Sequence, residues 1–471
     1  MAANASTAAL GSPPGPGDFL GLRTLRAFKR DPLGSLQDLH LAYGEVVYSP
    51  LVNAPTYLLA HPDHVGYVLQ ANHRNYRRSR NSDKLKRALG NGLLTNDGAS
   101  WLKQRRLMQP AFHRNRIVHF GETMTNETQK LLAEWQAEAP RGKPLDVSSE
   151  MMRLTLAIVS RTMFGATVVQ EAEQLGPAIS QLQEEAHRRQ FVLFDVPEWV
   201  PLPHLRRAKA ARVTIERVVT RMIEERRRTD RPTHNDLLAM LLDAKDAGTG
   251  EPMDDTQLRD EVRTIFLAGH ETTSNALTWM WYLLARNPAA AEKLRAELAH
   301  VLGGRLPTVA DLPQLPYTKM VVEESMRLLP PVWAISREAI ADDEIGGYRI
   351  PSGSTVVVSQ FITHRHPDFW EEPETFDPER FSPDRVKQRH RFAYFPFGGG
   401  PRLCIGSNFA MLEAQLILAT IAQQYELELV PDHPVELEPL ITLRPKHGVM
   451  MTLRPCTSGD KRDTGHARHT A

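Results

Sequence analysis

The sequence has few cysteines and no long apolar run. Only Cys404 and Cys456 are cysteines among its 471 residues, which excludes a disulfide-stabilised scaffold and favours a reducing compartment. No stretch of about 18 consecutive apolar residues occurs. Residues 1–17 lack the basic and apolar regions of a secretory signal. These absences predict a cytoplasmic protein without a membrane anchor.

Charge, glycine and proline show no excess either. Lys and Arg total 57 against 56 Asp and Glu, for a net charge of +1, so no bulk field favours nucleic acid. The 29 glycines and 34 prolines are close to ordinary usage, which excludes collagen-like and disordered classes. With 41% hydrophobic residues, a chain of this length can bury a large core. We therefore expect a globular protein that does not bind nucleic acid.

Helical periodicity dominates from about residue 100 onward. It predicts helices over 116–137, 148–164, 170–190, 204–228, 235–246, 255–286, 288–302, 317–329 and 407–424. Strands are predicted as a hairpin at 45–60, within 347–361, and as a pair at 425–430 and 449–454. No repeat or Gly/Ser linker divides the chain, which favours one large α+β unit. The expected divisions are a flexible leader at 1–18, one domain at 19–455 and a polar tail at 456–471.

The predicted helix 255–286 is unusually long, and its middle breaks local rules. It would span roughly 48 Å, enough to cross a domain. Gly269 and the threonines Thr272 and Thr273 are poor helix formers, and such failures often mark a functional site. The alternative is a glycine that lets another helix pack closely.

Two familiar motifs are incomplete in this chain. His270-Glu271 begins the HExxH motif of zinc peptidases, but Ser274 stands where the second histidine would be. The glycines 398–400 could cradle a phosphate, but no Lys-Ser/Thr pair follows them. Neither a zinc peptidase nor a phosphate-binding loop is predicted.

The glycine cluster leads instead to a single cysteine. Residues 397–406 read FGGGPRLCIG and place Cys404 just before the helix that begins near residue 407. Backbone N–H groups at a helix start lower the pKa of a thiol, and a thiolate suits a soft metal ligand. Nearby glycines let a flat cofactor approach the backbone. The alternative, a buried structural cysteine, is disfavoured by this ten-residue frame.

This frame resembles the haem-binding motif of cytochrome P-450, the haem-thiolate monooxygenase superfamily. The pattern FxxGxRxCxG is complete at Phe397, Gly400, Arg402, Cys404 and Gly406. The resemblance extends from about residue 30 to 455 and is nearest to soluble bacterial members. It implies a mainly α (α+β) fold with small sheets, and haem b between the long central helix and the Cys-ligand helix. Cys404 would be the axial ligand of the iron, Arg402 a haem-propionate partner, and Phe397 a neighbour of the sulfur.

Other family landmarks follow in order. Glu324 and Arg327 share one helix face, and alone they would be an ordinary solvated ion pair. The resemblance implies a buried ExxR network, completed by Arg380, that holds the fold. Trp101 and Arg105 match the family's WxxxR pattern, although ordinary surface packing would explain that spacing alone. The propionate partners implied besides Arg402 are Trp101, Arg105 and Arg337.

Residues 268–273 match the family's oxygen-binding AGxET motif. Ala268 and Thr272 would share a face, and disrupted hydrogen bonds beside Gly269 would open space for dioxygen. The Thr272 hydroxyl would donate to dioxygen, with Glu271 and water resupplying protons. This acid–alcohol pair favours dioxygen and two electrons over hydrogen peroxide. It also argues against a haem-thiolate protein that binds ligands without turnover, while isomerase, dehydratase and peroxygenase activities stay open.

The resemblance also concerns partners and substrate. No electron-transfer domain fits after residue 455, so electrons would come from a separate ferredoxin or flavodoxin with its reductase. Lys103 and Arg106 could face such a partner, and the basic stretch 74–87 is either a second contact or a solvated loop. Since no charged anchor is evident, a fatty acid, terpenoid or carotenoid is expected as substrate. The implied pocket residues are Leu93, Leu94, Phe191, Phe194, Val332, Trp333, Ile335, Ile441 and Thr442.

Overall fold

A computed structural model gives the fold of the chain. It describes residues 11–17, 21–51, 54–80, 85–86, 90–138, 142–165, 169–190, 196, 199–228, 236–245 and 250–456. The helices are α1 (Leu22–Arg30), α2 (Pro32–Tyr43), α3 (Pro62–Gly66), α4 (Gly98–Met108), α5 (Arg114–Ile117), α6 (Gly121–Glu138), α7 (Val147–Phe164), α8 (Val169–Gln190), α9 (Pro203–Arg228), α10 (Leu237–Asp243), α11 (Asp255–Arg286), α12 (Pro288–Leu302), α13 (Pro316–Leu328), α14 (Gln360–Thr363), α15 (Pro383–Gln388) and α16 (Ser407–Ala422). The strands are β1 (Val46–Leu51), β2 (Ala54–Leu59), β3 (Tyr76–Arg78), β4 (Leu145–Asp146), β5 (Ile335–Ala339), β6 (Asp343–Ile345), β7 (Tyr348–Ile350), β8 (Thr355–Val358), β9 (Tyr425–Leu429), β10 (Leu437–Pro439), β11 (Leu443–Pro445) and β12 (Met450–Pro455).

The predicted helices are present, and three predicted segments, two helices and one strand region, differ from the structure by more than two residues. The segment 116–137 begins with α5 and a 3₁₀ turn, so that α6 starts only at Gly121. Helix α10 ends at Asp243, short of the predicted residue 246. The strand signal at 347–361 yields β7 and β8 but stops at Val358, because the Ser359 side chain accepts from the Ile362 N–H and caps α14.

Helix α11 is the central element of the fold. The Asp254 side chain caps its start by accepting from the Gln257 N–H, and Pro288 opens the next helix directly after it. Most side chains of α11 are buried, and the helix packs against α7, α9, α13 and α16. This confirms the predicted helix-rich architecture around one long helix.

Small sheets lie around the helices, and their strands position residues near the centre of the molecule. The largest has the strand order β1-β2-β8-β5-β3 and contains the predicted hairpin, with Val46 opposite Leu59. In this sheet β3 pairs antiparallel with β5, which places Arg78 opposite Arg337. The predicted pair β9 and β12 is also present. A bend between β10 and β11 carries residues 440–442 toward α11.

The predicted ExxR network is buried and complete. Arg327 donates from Nε and Nη2 to the two carboxylate oxygens of Glu324 at 2.6 and 2.8 Å, with both side chains 0% exposed. Arg380 Nε lies 3.5 Å from Glu324 Oε1. Arg327 also donates to the carbonyls of His364, Pro373 and Thr375. The network therefore ties α13 to the segment that precedes the Cys404 loop.

The segment before α1 contacts the first hairpin. Tyr48 of β1 donates its N–H to the carbonyl of Pro14 at 2.9 Å, so part of the predicted leader contacts the hairpin. Within the described ranges, no helix combines the length and apolar character needed to cross a bilayer.

Candidate functional site

The loop before α16 presents Cys404 to a cavity. The Cys404 N–H donates to the Phe397 carbonyl at 3.0 Å and closes the loop. Gly400 has φ +63°, and a Cβ there would overlap the Leu69 carbonyl oxygen, so this position requires glycine. Gly406 stands at the start of α16, and its N–H donates to the Cys404 sulfur. Three motif residues thus shape the backbone around one thiol.

Burial dominates the electrostatics of this thiol. It raises the pKa of Cys404, while the Gly406 N–H and the Arg105 guanidinium oppose that increase. The sequence predicted a lowered pKa from the helix start alone. The Gly406 N–H at the helix start acts in that predicted direction, but desolvation outweighs it in the protein by itself. The residue itself is exposed toward the cavity.

The cavity above Cys404 has a volume of about 670 Å³ and is largely apolar. Its walls come from α4, α11, α16, β5 and the bend at 440–442. The predicted pocket residues that line it are Leu93, Leu94, Val332, Trp333, Ile335, Ile441 and Thr442. Phe191 and Phe194 lie outside the described residues, and their assignment to the pocket stays a prediction.

The middle of α11 forms part of the cavity wall. Ala268, Gly269, Glu271 and Thr272 all contribute to the wall, and the Thr272 hydroxyl donates to the Ala268 carbonyl at 2.7 Å. Residues 255–286 form one continuous helix through Gly269, and the disrupted hydrogen bonds expected beside Gly269 stay a prediction. A Cβ at Gly269 would lie 3.3 Å from Val159 Cγ2 of α7. The glycine therefore permits close helix packing, which was the alternative interpretation.

Glu271, which precedes Thr272 in α11, is a buried acid. Its Oε1 accepts a 2.6 Å hydrogen bond from the Thr442 hydroxyl, which in turn accepts from Asn275 Nδ2 at 3.3 Å. Burial raises the pKa of Glu271 to about 7, while Thr442 and Arg444 oppose the rise. Because both protonation states are accessible near neutral pH, this carboxyl can accept and release a proton. Thr442, predicted only as a pocket residue, is thus also a partner of the acid.

Arg402 and Trp101 form one wall of the cavity near Cys404. The Arg402 guanidinium lies over the Trp101 ring at 4.2 Å and forms an ion pair with Asp97. Asp97 also caps α4, the helix that carries Trp101 and Arg105. The structure therefore brings the WxxxR helix and the cysteine loop together through a carboxylate that the motifs did not indicate.

Arg78, a half-buried arginine of β3, was missed by sequence reasoning. Arg78 is half of the cross-strand pair with Arg337 and lines the same cavity. Its buried Nε has no hydrogen-bond partner in the described structure. Burial and the charges of Arg337 and Arg402 lower the pKa of Arg78 to about 9, and burial and Arg402 lower that of Arg337 to about 10. The alternation of inward and outward side chains in the short strand Tyr76–Arg78 could have placed Arg78 on the same face as Tyr76. It does not show that β5 and Arg337 lie beside it.

This cluster fits an anionic ligand. The guanidinium groups of Arg78, Arg105, Arg337 and Arg402 line one cavity with the thiol of Cys404. Buried cations without a matching number of carboxylates are costly unless an anion joins them, and guanidinium binds carboxylates well. A flat cofactor with two carboxylates and a metal that accepts sulfur therefore suits the residues present. Haem b meets these requirements.

Comparisons with known proteins agree with haem binding in this cavity. The Cytochrome P450 family model matches residues 12–452. Cyclooctatin synthase of Streptomyces melanosporofaciens is 39% identical over 416 residues, covering 88% of this chain and 89% of that protein. Pentalenene oxygenase of Streptomyces avermitilis is 32% identical over 431 residues, covering 91% and 94%. The solved heme domain of cytochrome P450DA has a TM-score of 0.86 at 26% identity, covering 95% of this chain and 98% of that one.

The family model and the relatives also indicate the reaction class and the cofactor. The relatives include a named monooxygenase, cyclooctat-9-en-7-ol 5-monooxygenase of Streptomyces melanosporofaciens, at 36% identity over 423 residues. The chain is thus an oxidoreductase with haem b as its cofactor. By sequence, fold and the composition of its cavity, it belongs to the cytochrome P450 family.

Proposed function

We propose that the protein hydroxylates a terpenoid, using dioxygen and two electrons from a separate redox partner. The observation that carries this proposal is the large apolar cavity between the Cys404 thiol and the Glu271–Thr272 pair. Such a cavity suits a hydrophobic molecule. Relatives named for cyclooctatin and pentalenene favour a terpenoid over a fatty acid or carotenoid.

Cys404 is the proposed ligand of the haem iron, and the arginine cluster the proposed holder of the propionates. The loop that ends at Gly406 supplies one N–H donor to the sulfur, which would stabilise the thiolate once a metal is bound. Arg78, Arg105 and Arg337 would hold the propionates together with Arg402 and Trp101. When bound, the haem supplies the activation of dioxygen and the one-electron chemistry.

Protons are proposed to reach the cavity through Thr272 and Glu271. The Thr272 hydroxyl lies on the cavity wall, one helical turn beyond Ala268, whose carbonyl it contacts. Glu271 follows it with a pKa of about 7, raised by burial. A carboxyl with that pKa can donate a proton at neutral pH and be reprotonated from solvent.

Apolar side chains around the cavity would orient the substrate. Leu94, Val332 and Ile441 line it without a charged group of their own. Trp333 is fixed because its Nε1 donates to the Leu440 carbonyl at 2.9 Å. A rigid apolar wall of this kind discriminates by shape. The position of oxidation would follow from how a polycyclic skeleton fits between these residues.

A basic face near the site is the proposed docking surface for the electron donor. Lys103 and Arg106 lie on α4, the helix that also carries Trp101 and Arg105. Arg106 and Arg114 are exposed. An acidic ferredoxin or flavodoxin would be attracted to this face at low ionic strength.

The proposal is tested first on the haem ligand. The reduced carbon monoxide complex of the wild-type protein should show the red-shifted Soret band of a thiolate-bound haem. Cys404→Ser should abolish that band, whereas Cys456→Ser, which removes the second cysteine, should retain it. Retention of the band in Cys404→Ser would overturn the ligand assignment.

The reaction is tested with labelled oxygen. Cyclic diterpenes and sesquiterpenes would be screened by their effect on the ferric Soret band, then turned over under ¹⁸O₂ with a surrogate ferredoxin and reductase. One labelled oxygen atom in the product is the expected result. Fatty acids in the same screen are the competing class, and binding of terpenoids without any labelled product would contradict the monooxygenase proposal.

A further inference from the structure

Residues 90–96 form a turn that brings two leucines to the cavity. Leu93 is 8% exposed and Leu94 is 37% exposed, and both line the cavity. The Thr95 hydroxyl donates to the Gly90 carbonyl at 2.6 Å, which makes the turn compact. We call residues 90–96 the leucine turn.

The leucine turn is held by two neighbouring carboxylates of α11. The Leu93 N–H donates to Oε2 of Glu261 at 2.9 Å, and the Asn91 N–H donates to Oδ2 of Asp260 at 2.7 Å. Glu261 is 0% exposed. Its other oxygen, Oε1, is buried and has no hydrogen-bond partner in the described part of the chain. Burying a carboxylate with a single donor is costly, so its contact with the Leu93 N–H requires an explanation.

The backbone of the turn lies directly on α11. A Cβ at Gly92 would overlap the Thr264 hydroxyl and lie 2.7 Å from the Asp260 carbonyl oxygen, so only glycine fits. From the other side, Gln104 of α4 donates from Nε2 to the Asn91 carbonyl at 3.1 Å. The turn is thus clamped between α4 and α11 by polar contacts.

Glu261 continues the face of α11 that lines the cavity. Positions 261, 265, 268 and 272 recur at helical spacing on one side. Ile265, Ala268 and Thr272 line the cavity. Glu261 therefore lies at the N-terminal end of this row of residues, next to the leucine turn. Release of its contact with Leu93 would move the part of the cavity wall that Leu93 and Leu94 form.

We propose that Glu261 is a positioning residue that determines the shape of the substrate cavity by holding the leucine turn against α11. It thereby controls which sizes of hydrophobic molecule enter and how long they stay. This inference rests on the proposed function in one respect, that the cavity lies above haem bound at Cys404. The positioning role requires a hydrogen-bond acceptor for the Leu93 N–H at position 261.

Azoles of different size test the proposal without knowledge of the substrate. Imidazole and 4-phenylimidazole are mixed with the ferric holoenzyme, and their binding and release are followed at the Soret band. In Glu261→Leu the Leu93 N–H loses its acceptor, so 4-phenylimidazole should dissociate about tenfold faster. Imidazole is small enough to pass a closed turn and should change by less than about twofold.

Two variants separate positioning from a general loss of structure. Glu261→Gln keeps a side-chain carbonyl that accepts from Leu93, so it should release 4-phenylimidazole within about twofold of the wild-type rate. Asp255→Asn is the matched control, because it removes a carboxylate of the same helix that pairs with Arg227 on the surface. It too should leave the release rate unchanged.

A second route opens the turn with Glu261 intact. Gly92→Ala should push the turn away from α11 and accelerate release of 4-phenylimidazole in the same direction, which supports the proposal even where Glu261→Leu does not fold. The proposal is overturned by equal release rates in the Leu and Gln variants, or by equal acceleration of both azoles. Absence of any azole shift in the wild-type protein would instead overturn the proposed function, and the inference with it.

Discussion

The Thr442 hydroxyl donates a 2.6 Å hydrogen bond to Oε1 of Glu271 and joins residues 171 positions apart in the chain. It connects the bend between β10 and β11 to the centre of α11. Burial raises the pKa of Glu271 to about 7, and this hydrogen bond opposes the increase. The proton affinity of the acid therefore depends on a residue from a different part of the fold.

Loss of the Thr442 hydroxyl should make Glu271 harder to ionise. Thr442→Val removes the donor to the carboxylate, so the pKa of Glu271 should rise by about one unit. Infrared titration of the protonated carboxyl band, assigned with Glu271→Gln, measures the change directly. Thr442→Ser keeps a hydroxyl and should titrate like the wild-type protein. Identical titrations of the Val and Ser variants would contradict this account.

Arg78 should contribute to the retention of haem. Arg78 lines the cavity, and its buried Nε has no hydrogen-bond partner in the described structure. Arg78→Met removes the charge but keeps much of the volume, so haem transfer to apomyoglobin should become at least about tenfold faster. Arg77→Met is the control, because Arg77 is directed away from the cavity and pairs with Glu338 at 2.6 Å. Equal transfer rates in the two variants would show that Arg78 does not hold the cofactor.

Local sequence patterns predicted most of the fold for identifiable reasons. Helix α11 was predicted with the observed bounds because Asp254 caps one end and Asn287-Pro288 closes the other. The short strands were predicted less well. The strand expected through residue 361 ends at Val358, because capping by Ser359 is a local hydrogen bond that hydrophobic alternation does not reveal.

The candidate site was predictable where a motif spans neighbouring residues. Cys404, Arg402 and Gly400 were found together in this way. Arg78 and Glu261 were not, because the first depends on the pairing of β3 with β5 and the second on a turn that contacts α11. Such residues acquire their role from tertiary contacts, which a single sequence does not encode in its spacing.

The ExxR network should contribute strongly to stability. Removing Glu324 leaves the guanidinium of Arg327 buried without its ion-pair partner, so Glu324→Ala should lower the free energy of unfolding by about 3–5 kcal/mol. The adjacent Glu323 is the control. Its carboxylate lies 3.7 Å from Lys319, and Glu323→Ala should cost less than about 1 kcal/mol. Denaturant titration of both holoenzymes followed by circular dichroism makes the comparison, and similar losses would argue against a special role for Glu324.

The buried carboxyl of Glu261 should make stability depend on pH. Burial raises its pKa from 4.5 to about 7, with a smaller contribution from Asp260, while the Leu93 N–H opposes the increase. Asp260 is itself paired with Arg263, which also faces Glu216 of α9. Between pH 4.5 and about 7 the folded protein binds more protons at Glu261 than the unfolded chain does. Its contribution to stability is therefore lost as the pH rises through this window.

Glu261→Gln removes that titration with little change of shape. As the pH rises from 5 to 8, the free energy of unfolding of the wild-type protein should fall by about 2 kcal/mol relative to that of the variant. Denaturant titrations of the two holoenzymes at both pH values measure this difference. Glu292→Gln, at an exposed position of α12, is the control for the loss of a surface carboxylate. Parallel pH profiles for wild type and Glu261→Gln would mean that Glu261 is ionised in the folded protein throughout this range, and that its single contact with Leu93 suffices to keep the charge buried.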